Sequence, residues 1–177
     1  MISLTLVQQF NKVTYYSVQF DGESTSIFEN FVSRHTSTNK EKLNHILAWI
    51  KVIGDNYGAQ EYFFRNEAKI ADTRALPPKG KNRKPDYVEY DEVTGEESTR
   101  PNDLRLYCFR ANESVVFLFD GDIKTAATPQ ECSNVKPHFD AANRLTKALD
   151  QAFANGVITW NEDCTNIHYT NPIDING

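Results

Sequence analysis

An α+β fold is what this sequence predicts, on three observations. Leu104-Arg-Leu-Tyr-Cys-Phe-Arg110 and Val115-Val-Phe-Leu118 are rich in aromatic and β-branched residues, and the polar Ala111-Asn-Glu-Ser114 between them suits a turn. The two runs therefore read as an antiparallel hairpin. Leu43, Ile46, Leu47, Ile50 and Ile53 recur at spacings of three and four, the stripe of an amphipathic helix. Phe139, Ala142, Leu145, Ala148, Leu149, Ala152 and Phe153 repeat that pattern before Asn155-Gly156. The order fits an N-terminal strand and helical hairpin packed on a small, mainly antiparallel sheet, followed by a C-terminal helix.

The elements follow in turn. Val13-Thr-Tyr-Tyr-Ser-Val-Gln-Phe20 has strand composition, and Asp21-Gly22 closes it. Ser24, Thr25 or Ser26 supplies an N-cap for a helix through Ile27, Phe28, Phe31 and Val32, with Glu29 near the capping-box position. Thr36-Ser-Thr-Asn39 separates it from the second helix, which Gly54 and Gly58 bring to a stop. Glu61-Tyr-Phe-Phe-Arg65 and Thr73-Arg-Ala-Leu76 read as short strands ended by Pro77-Pro78. Residues 79–100 differ in composition: a basic group, Lys79, Lys81, Arg83 and Lys84, precedes an acidic one, Asp86, Glu89, Asp91, Glu92, Glu96 and Glu97. This stretch is expected to be a charged loop or β-ribbon inserted into the domain. Thr128-Pro129 resembles a helix start. The tail beyond Gly156 reads as a C-terminal extension, with short strands at 157–160 and 167–170 and loose chain from Asn171 onward.

With 177 residues and 40% hydrophobic content the chain can bury one core, and one domain over residues 1–177 is expected. The three cysteines are widely spaced and lack a CxxC pattern, so neither a disulfide framework nor a zinc site is indicated. Met1-Ile-Ser-Leu-Thr-Leu-Val7 is too short for a signal-peptide core and no segment approaches membrane-spanning length. The expected location is the cytoplasm, without membrane partners. A net charge of −5 argues against a generic nucleic-acid binder, although a local basic patch would suffice for one. No nucleotide-binding glycine fingerprint is present.

Strand alternation puts Leu104, Leu106 and Cys108 on one face and Arg105, Tyr107 and Phe109 on the other. An arginine in a sheet either binds an anion there or packs its stem on Tyr107 with its head in water. Gly121-Asp-Ile-Lys-Thr125 follows the hairpin and brings Lys124 close to it in sequence.

Arg105-Leu106-Tyr107 resembles the central arginine strand of the RelE/HigB superfamily of toxin-antitoxin ribonucleases. Gly121-Asp-Ile-Lys124-Thr-Ala-Ala-Thr-Pro129 is similar to the glycine, lysine and threonine-proline turn of its HigB-type members. Ile53-Gly54 with Gly58-Ala-Gln-Glu-Tyr-Phe-Phe-Arg65 also looks like the helix-to-strand junction of a HigB-like subgroup, so the likeness extends over roughly Val13 to Phe153. The resemblance implies a RelE-like fold and metal-independent cleavage of messenger RNA, often on the ribosome, with neutralisation by a cognate antitoxin protein and no cofactor. It implies that Arg105 stabilises phosphorane-like charge, that Lys124 contacts the phosphate or leaving oxygen, and that Tyr107 orients or stacks a base. The general base is left open; His138, the nearest histidine to the motif and at the start of a helix, has the chemistry for it. Arg65, Arg74, Lys79, Lys81, Arg83 and Lys84 are candidates for RNA phosphate contacts. Asp120 and Asp122 flank the turn and would repel RNA unless they pair with Arg105 or Lys124. If they do pair, the alternative is a non-catalytic protein-interaction module on the same fold.

Overall fold

The computed structural model describes residues 1–67, 71–80 and 83–175. Among the described residues, three α-helices and a mainly antiparallel six-stranded sheet make an α+β architecture. The sheet runs β1 (Ile2–Gln9), β2 (Thr14–Phe20), β8 (Val115–Leu118), β7 (Leu106–Arg110), β4 (Thr73–Leu76) and β3 (Arg65–Asn66) in spatial order. Its neighbours are antiparallel except β2 and β8, which pair in parallel with Thr14 opposite Val115. β5 (Val88–Tyr90) and β6 (Glu97–Thr99) form a separate ribbon within the charged insertion.

Helices cover both faces. α1 (Ile27–Thr38) starts at Ser26, whose hydroxyl accepts from the Glu29 amide while the Glu29 carboxylate accepts from the Ser26 amide, so the expected capping box forms. α2 (Lys40–Val52) follows after the break at Asn39 and ends in a wide turn, Ile53–Tyr57, terminated by Gly58 at φ 77°. Phe28 and Phe31 of α1, with Leu43, Ile46, Trp49 and Ile50 of α2, pack on Tyr15, Leu106, Cys108, Val116 and Leu118. The opposite face, with Tyr16, Val18, Tyr107, Phe109 and Phe117, is covered by Phe139, Ala142, Leu145 and Leu149 of α3 (Lys136–Ala154). A sheet buried on both sides needs apolar residues at nearly every position of its inner strands, which is why β7 and β8 read as continuous hydrophobic runs.

The structure departs from the sequence reading at both ends. A strand precedes the expected first one: Ile2 and Leu4 point inward, while the chain from Leu6 onward lies at the surface and carries a register shift before Gln8. Only half of β1 therefore shows a buried alternation. The tail is tied down rather than loose. Ile173 is buried and bridges Ile2, and the Asn171 side chain both accepts from the Leu4 amide and donates to its carbonyl. β9 (Thr159–Trp160) and β10 (Ile167–His168) form a small hairpin whose Ile167 joins the core beside α3. Glu61–Phe63 is a 3-10 turn instead of a strand, with β3 beginning only at Arg65. No helix among the described residues is long and apolar enough to cross a membrane.

Candidate functional site

The cation-bearing strand sits where the sequence places it. Leu104, Leu106 and Cys108 face the α1–α2 layer, while Tyr107 and Phe109 face α3. Beyond the regular part of β8 the chain stays alongside β7: Arg105 N donates to Asp122 O at 3.0 Å and Lys124 N to Asp103 O at 2.8 Å. These bonds bring Lys124 beside Arg105. β4 places Ala75 opposite Tyr107, and β3 places Arg65 opposite Ala75. Arg65 and, two residues on, Glu67 thereby share the face of Arg105 and Tyr107.

Glu67 gathers this group. Its Oε1 accepts from Lys124 Nζ at 3.0 Å and lies 3.5 Å from Arg105 Nε, outside hydrogen-bonding geometry. The three side chains are 10%, 13% and 11% exposed in the order Glu67, Lys124, Arg105. Glu67 Oε2, Arg105 Nε and Tyr107 Oη are buried and make no hydrogen bond of regular geometry among the described residues, although the Tyr107 phenol lies close enough to the Glu67 carboxylate for the two to interact. Buried polar atoms are normally satisfied, so orphaned atoms in one group mark a place built to meet something polar. Arg105 is otherwise anchored, its Nη1 donating to the carbonyls of Asn102 at 2.6 Å and Leu104 at 3.2 Å. Burial, and then the charge of Glu67, push the Tyr107 phenol up, so it stays protonated as a donor.

A pocket of about 290 Å³ opens beside the cluster, lined by Arg65, Asn66, Glu67, Lys79, Lys124 and the 127–129 turn. Arg65 donates from Nε to Pro77 O at 2.7 Å. Burial and the neighbouring Arg105 push its pKa down to about 10, with Glu67 acting the other way, so it keeps its charge at neutral pH. Three cations, Arg65, Lys79 and Lys124, thus line this pocket with Glu67, and Arg105 lies 3.5 Å from that carboxylate. A larger hollow of about 470 Å³ lies where the β1–β2 turn meets Tyr57 and Gln60, lined by Lys12 and Glu113 among its charged groups. It lacks a comparable group of unpartnered buried atoms.

The other expected site residues lie elsewhere. Asp120 takes Arg34 at 2.6 Å and faces His138 Nδ1 at 3.7 Å, so His138 belongs to that ion-pair set rather than to the Glu67 group. Asp122 turns to its own neighbour, accepting from the Ile123 amide. The carboxylate paired with Arg105 and Lys124 is therefore neither of the two flanking aspartates. Arg74 sits opposite Cys108, on the face away from Arg105, and pairs with Asp72 at 2.8 Å. Arg83 donates to Tyr62 O at 2.8 Å, and Lys84 pairs with Asp86 at the surface. Lys81 falls outside the described residues.

Glu67 was not singled out from sequence. Its only local signal is the alternation with Arg65 along a strand two residues long, and its partners lie about forty and sixty positions away. The Cys132 thiol beneath the Lys124 turn is a second such case. It accepts from Thr125 N at 3.4 Å and lies 3.7 Å from Ile123 O, gripping the chain on both sides of Lys124. The Thr125 hydroxyl contact and nearby backbone amides pull its pKa down to about 6 against the effect of burial. Compared with known proteins, the chain matches no family model, no curated protein and no solved structure.

Proposed function

We propose that the Glu67–Arg105–Lys124 cluster is the active site of an endoribonuclease of RelE/HigB type, acting on single-stranded messenger RNA. The observation that carries this reading is the buried Glu67 Oε2, without a hydrogen-bond partner among the described residues, on a carboxylate held by Lys124 and Arg105 beside a pocket of about 290 Å³ that Arg65 and Lys79 also line. A free carboxylate oxygen is a proton acceptor, and fixed guanidinium and ammonium groups stabilise charge that builds on a phosphate. The resemblance of Arg105-Leu-Tyr107 and of the Gly121–Pro129 turn to that superfamily points the same way.

In this mechanism Glu67 Oε2 takes the proton of a ribose 2′-hydroxyl, whose oxygen attacks the adjacent phosphorus. Arg105 and Arg65 stabilise the negative charge of the five-coordinate state, while Tyr107, fully buried against Phe139, supports the cluster from within the core and does not reach the substrate. Lys124 gives a proton to the departing 5′-oxygen. The products are a 2′,3′-cyclic phosphate and a 5′-hydroxyl. The Lys124–Glu67 hydrogen bond of 3.0 Å then returns the proton from the carboxylic acid to the amine. Ribosome dependence and a cognate antitoxin belong to the same reading.

The test is cleavage of single-stranded RNA in the presence of chelator. Wild type should release cyclic-phosphate ends, and Glu67→Gln should lose roughly a hundredfold or more in rate, the scale of a general base. Arg105→Ala and Lys124→Ala should do the same. The second reading, a non-catalytic protein-interaction module, draws on the anchoring of Arg105 to two backbone carbonyls and its low exposure. Wild type that leaves RNA intact, both free and on ribosomes, would favour it.

A further inference from the structure

The loop between α2 and β3 carries an aromatic surface that the catalytic reading does not use. Tyr57 and Tyr62 are 48% and 62% exposed, and they lie together on one surface. Both contact the buried Phe63: Tyr57 stacks on it at 5.2 Å between centroids, and Tyr62 lies at 4.5 Å. Phe63 is seated in turn on Trp49 of α2 at 5.7 Å. The backbone beneath is tied by Gly58 N to Ile53 O, Ala59 N to Glu113 O and Phe63 N to Gln60 O. The two rings are therefore presented on a rigid base, and little freedom remains to be lost on binding.

Cations connect this platform to the pocket. Arg83 donates to the Tyr62 carbonyl, and Lys79, earlier in the same segment, lines the pocket with Arg65 and Lys124. Pro77, which accepts from Arg65, thus meets the candidate active site, and Arg83 meets Tyr62. Glu61, which lies 3.7 Å from Arg110, Glu113, which meets the Gln60 side chain, and Asp55 of the Ile53–Tyr57 turn are nearby carboxylates.

From this arrangement we infer that Tyr62 and Tyr57 form a stacking platform for the bases of a single-stranded RNA whose phosphates pass over Arg83 and Lys79 into the pocket. The inference rests on the proposed RNA-cleaving function and names the part of the substrate that lies outside the scissile position. Exposed aromatic rings interleaved with cations are how single strands are held without base-edge reading, because every base offers a face to stack. The paired bases of a duplex offer no such faces.

The experiment is fluorescence anisotropy with a labelled, fully 2′-O-methylated single strand, which binds but lacks the attacking hydroxyl. Tyr62→Ala and Tyr57→Ala should each weaken binding roughly fivefold or more. Tyr62→Phe should bind as wild type, Arg83→Ala should flatten the salt dependence, and the corresponding duplex should bind more weakly. Tyr62 is mostly and Tyr57 about half solvent-exposed, so the folded state tolerates the changes, as circular dichroism would verify. Binding by the two alanine variants as tight as that of wild type, or a Tyr62→Phe loss as large as that of Tyr62→Ala, overturns the platform. Tyrosine-dependent binding without cleavage of unmodified RNA would overturn the catalytic proposal and leave the platform standing. Cleavage with tyrosine-independent binding would do the reverse.

Discussion

A side chain at position 121 would place its Cβ 1.8 Å from the carbonyl oxygen of Arg105. Gly121 is therefore required by close packing against backbone, which cannot step aside as a flexible side chain can. The same residue offers its carbonyl to Arg34 Nη2 at 2.7 Å and to the His35 ring. Gly121→Ala should force the two chain segments apart and reduce stability toward the upper end of the roughly 1–3 kcal/mol typical of overpacking. Urea denaturation would measure it, and an unchanged midpoint would show that the segments part easily.

Removing Glu67 leaves two cations mostly buried without their carboxylate. Glu67→Ala should destabilise the fold by about 3–5 kcal/mol, the scale of breaking a buried ion pair. Adding Lys124→Ala removes one of the stranded charges, so the double variant should be clearly more stable than the sum of the single losses predicts. A double-mutant cycle that closes with no coupling would show that the two groups act independently.

Acid should loosen the fold through two histidines. His35 accepts from Asn39 at Nδ1 and donates from Nε2 to Gly121 O, and burial holds its pKa below the ordinary value while the carbonyl contact works upward. His45 accepts from Asn102 and donates to Pro85 O, and burial lowers its pKa likewise. Each binds a proton more readily when unfolded. Their stabilising contribution is thus complete above about pH 6.5 and lost as pH falls from there toward their folded values. Melting temperatures followed downward through that window should decline, and His35→Gln with His45→Gln should flatten the curve. A wild-type profile that stays level would refute the assignment.

Thiol reactivity should separate the cysteines by cover rather than by acidity. Cys164 is exposed, whereas Cys108 and Cys132 are buried. In native protein at neutral pH, a disulfide reagent should titrate one thiol promptly, and Cys164→Ser should abolish that phase. The remaining thiols should appear only on unfolding. Prompt reaction of Cys132, whose lowered pKa favours the thiolate, would mean that the Lys124 turn opens in solution.

Local patterns gave the helices and the inner strands because their signals lie within a few residues: Ser26 with Glu29, the stripe from Leu43 to Ile53, and the alternation from Leu104 to Phe109. Arg105 and Lys124 were legible as neighbours because one hairpin carries both. What escaped depends on distant pairing. β1 is half exposed and gains its place from β2 and Ile173, the tail gains order from Leu4, and Glu67 reaches Arg105 only through β4. Aspartates adjacent in sequence looked like the partners of the cations, but Asp120 is taken by Arg34 of α1.

The parallel pairing of β2 with β8 joins residues about a hundred positions apart, as the bond from the Ser17 hydroxyl to Leu118 O spans 101. During synthesis the N-terminal hairpin and both of its following helices emerge long before that partner exists. At about 5–20 residues per second the wait is roughly 5–20 s. Through that interval the inner edge of β2 and the apolar faces of α1 and α2 have no sheet to close on. The nascent chain is most in need of a chaperone then, and closure of the long loop rather than formation of any helix should set the pace of folding.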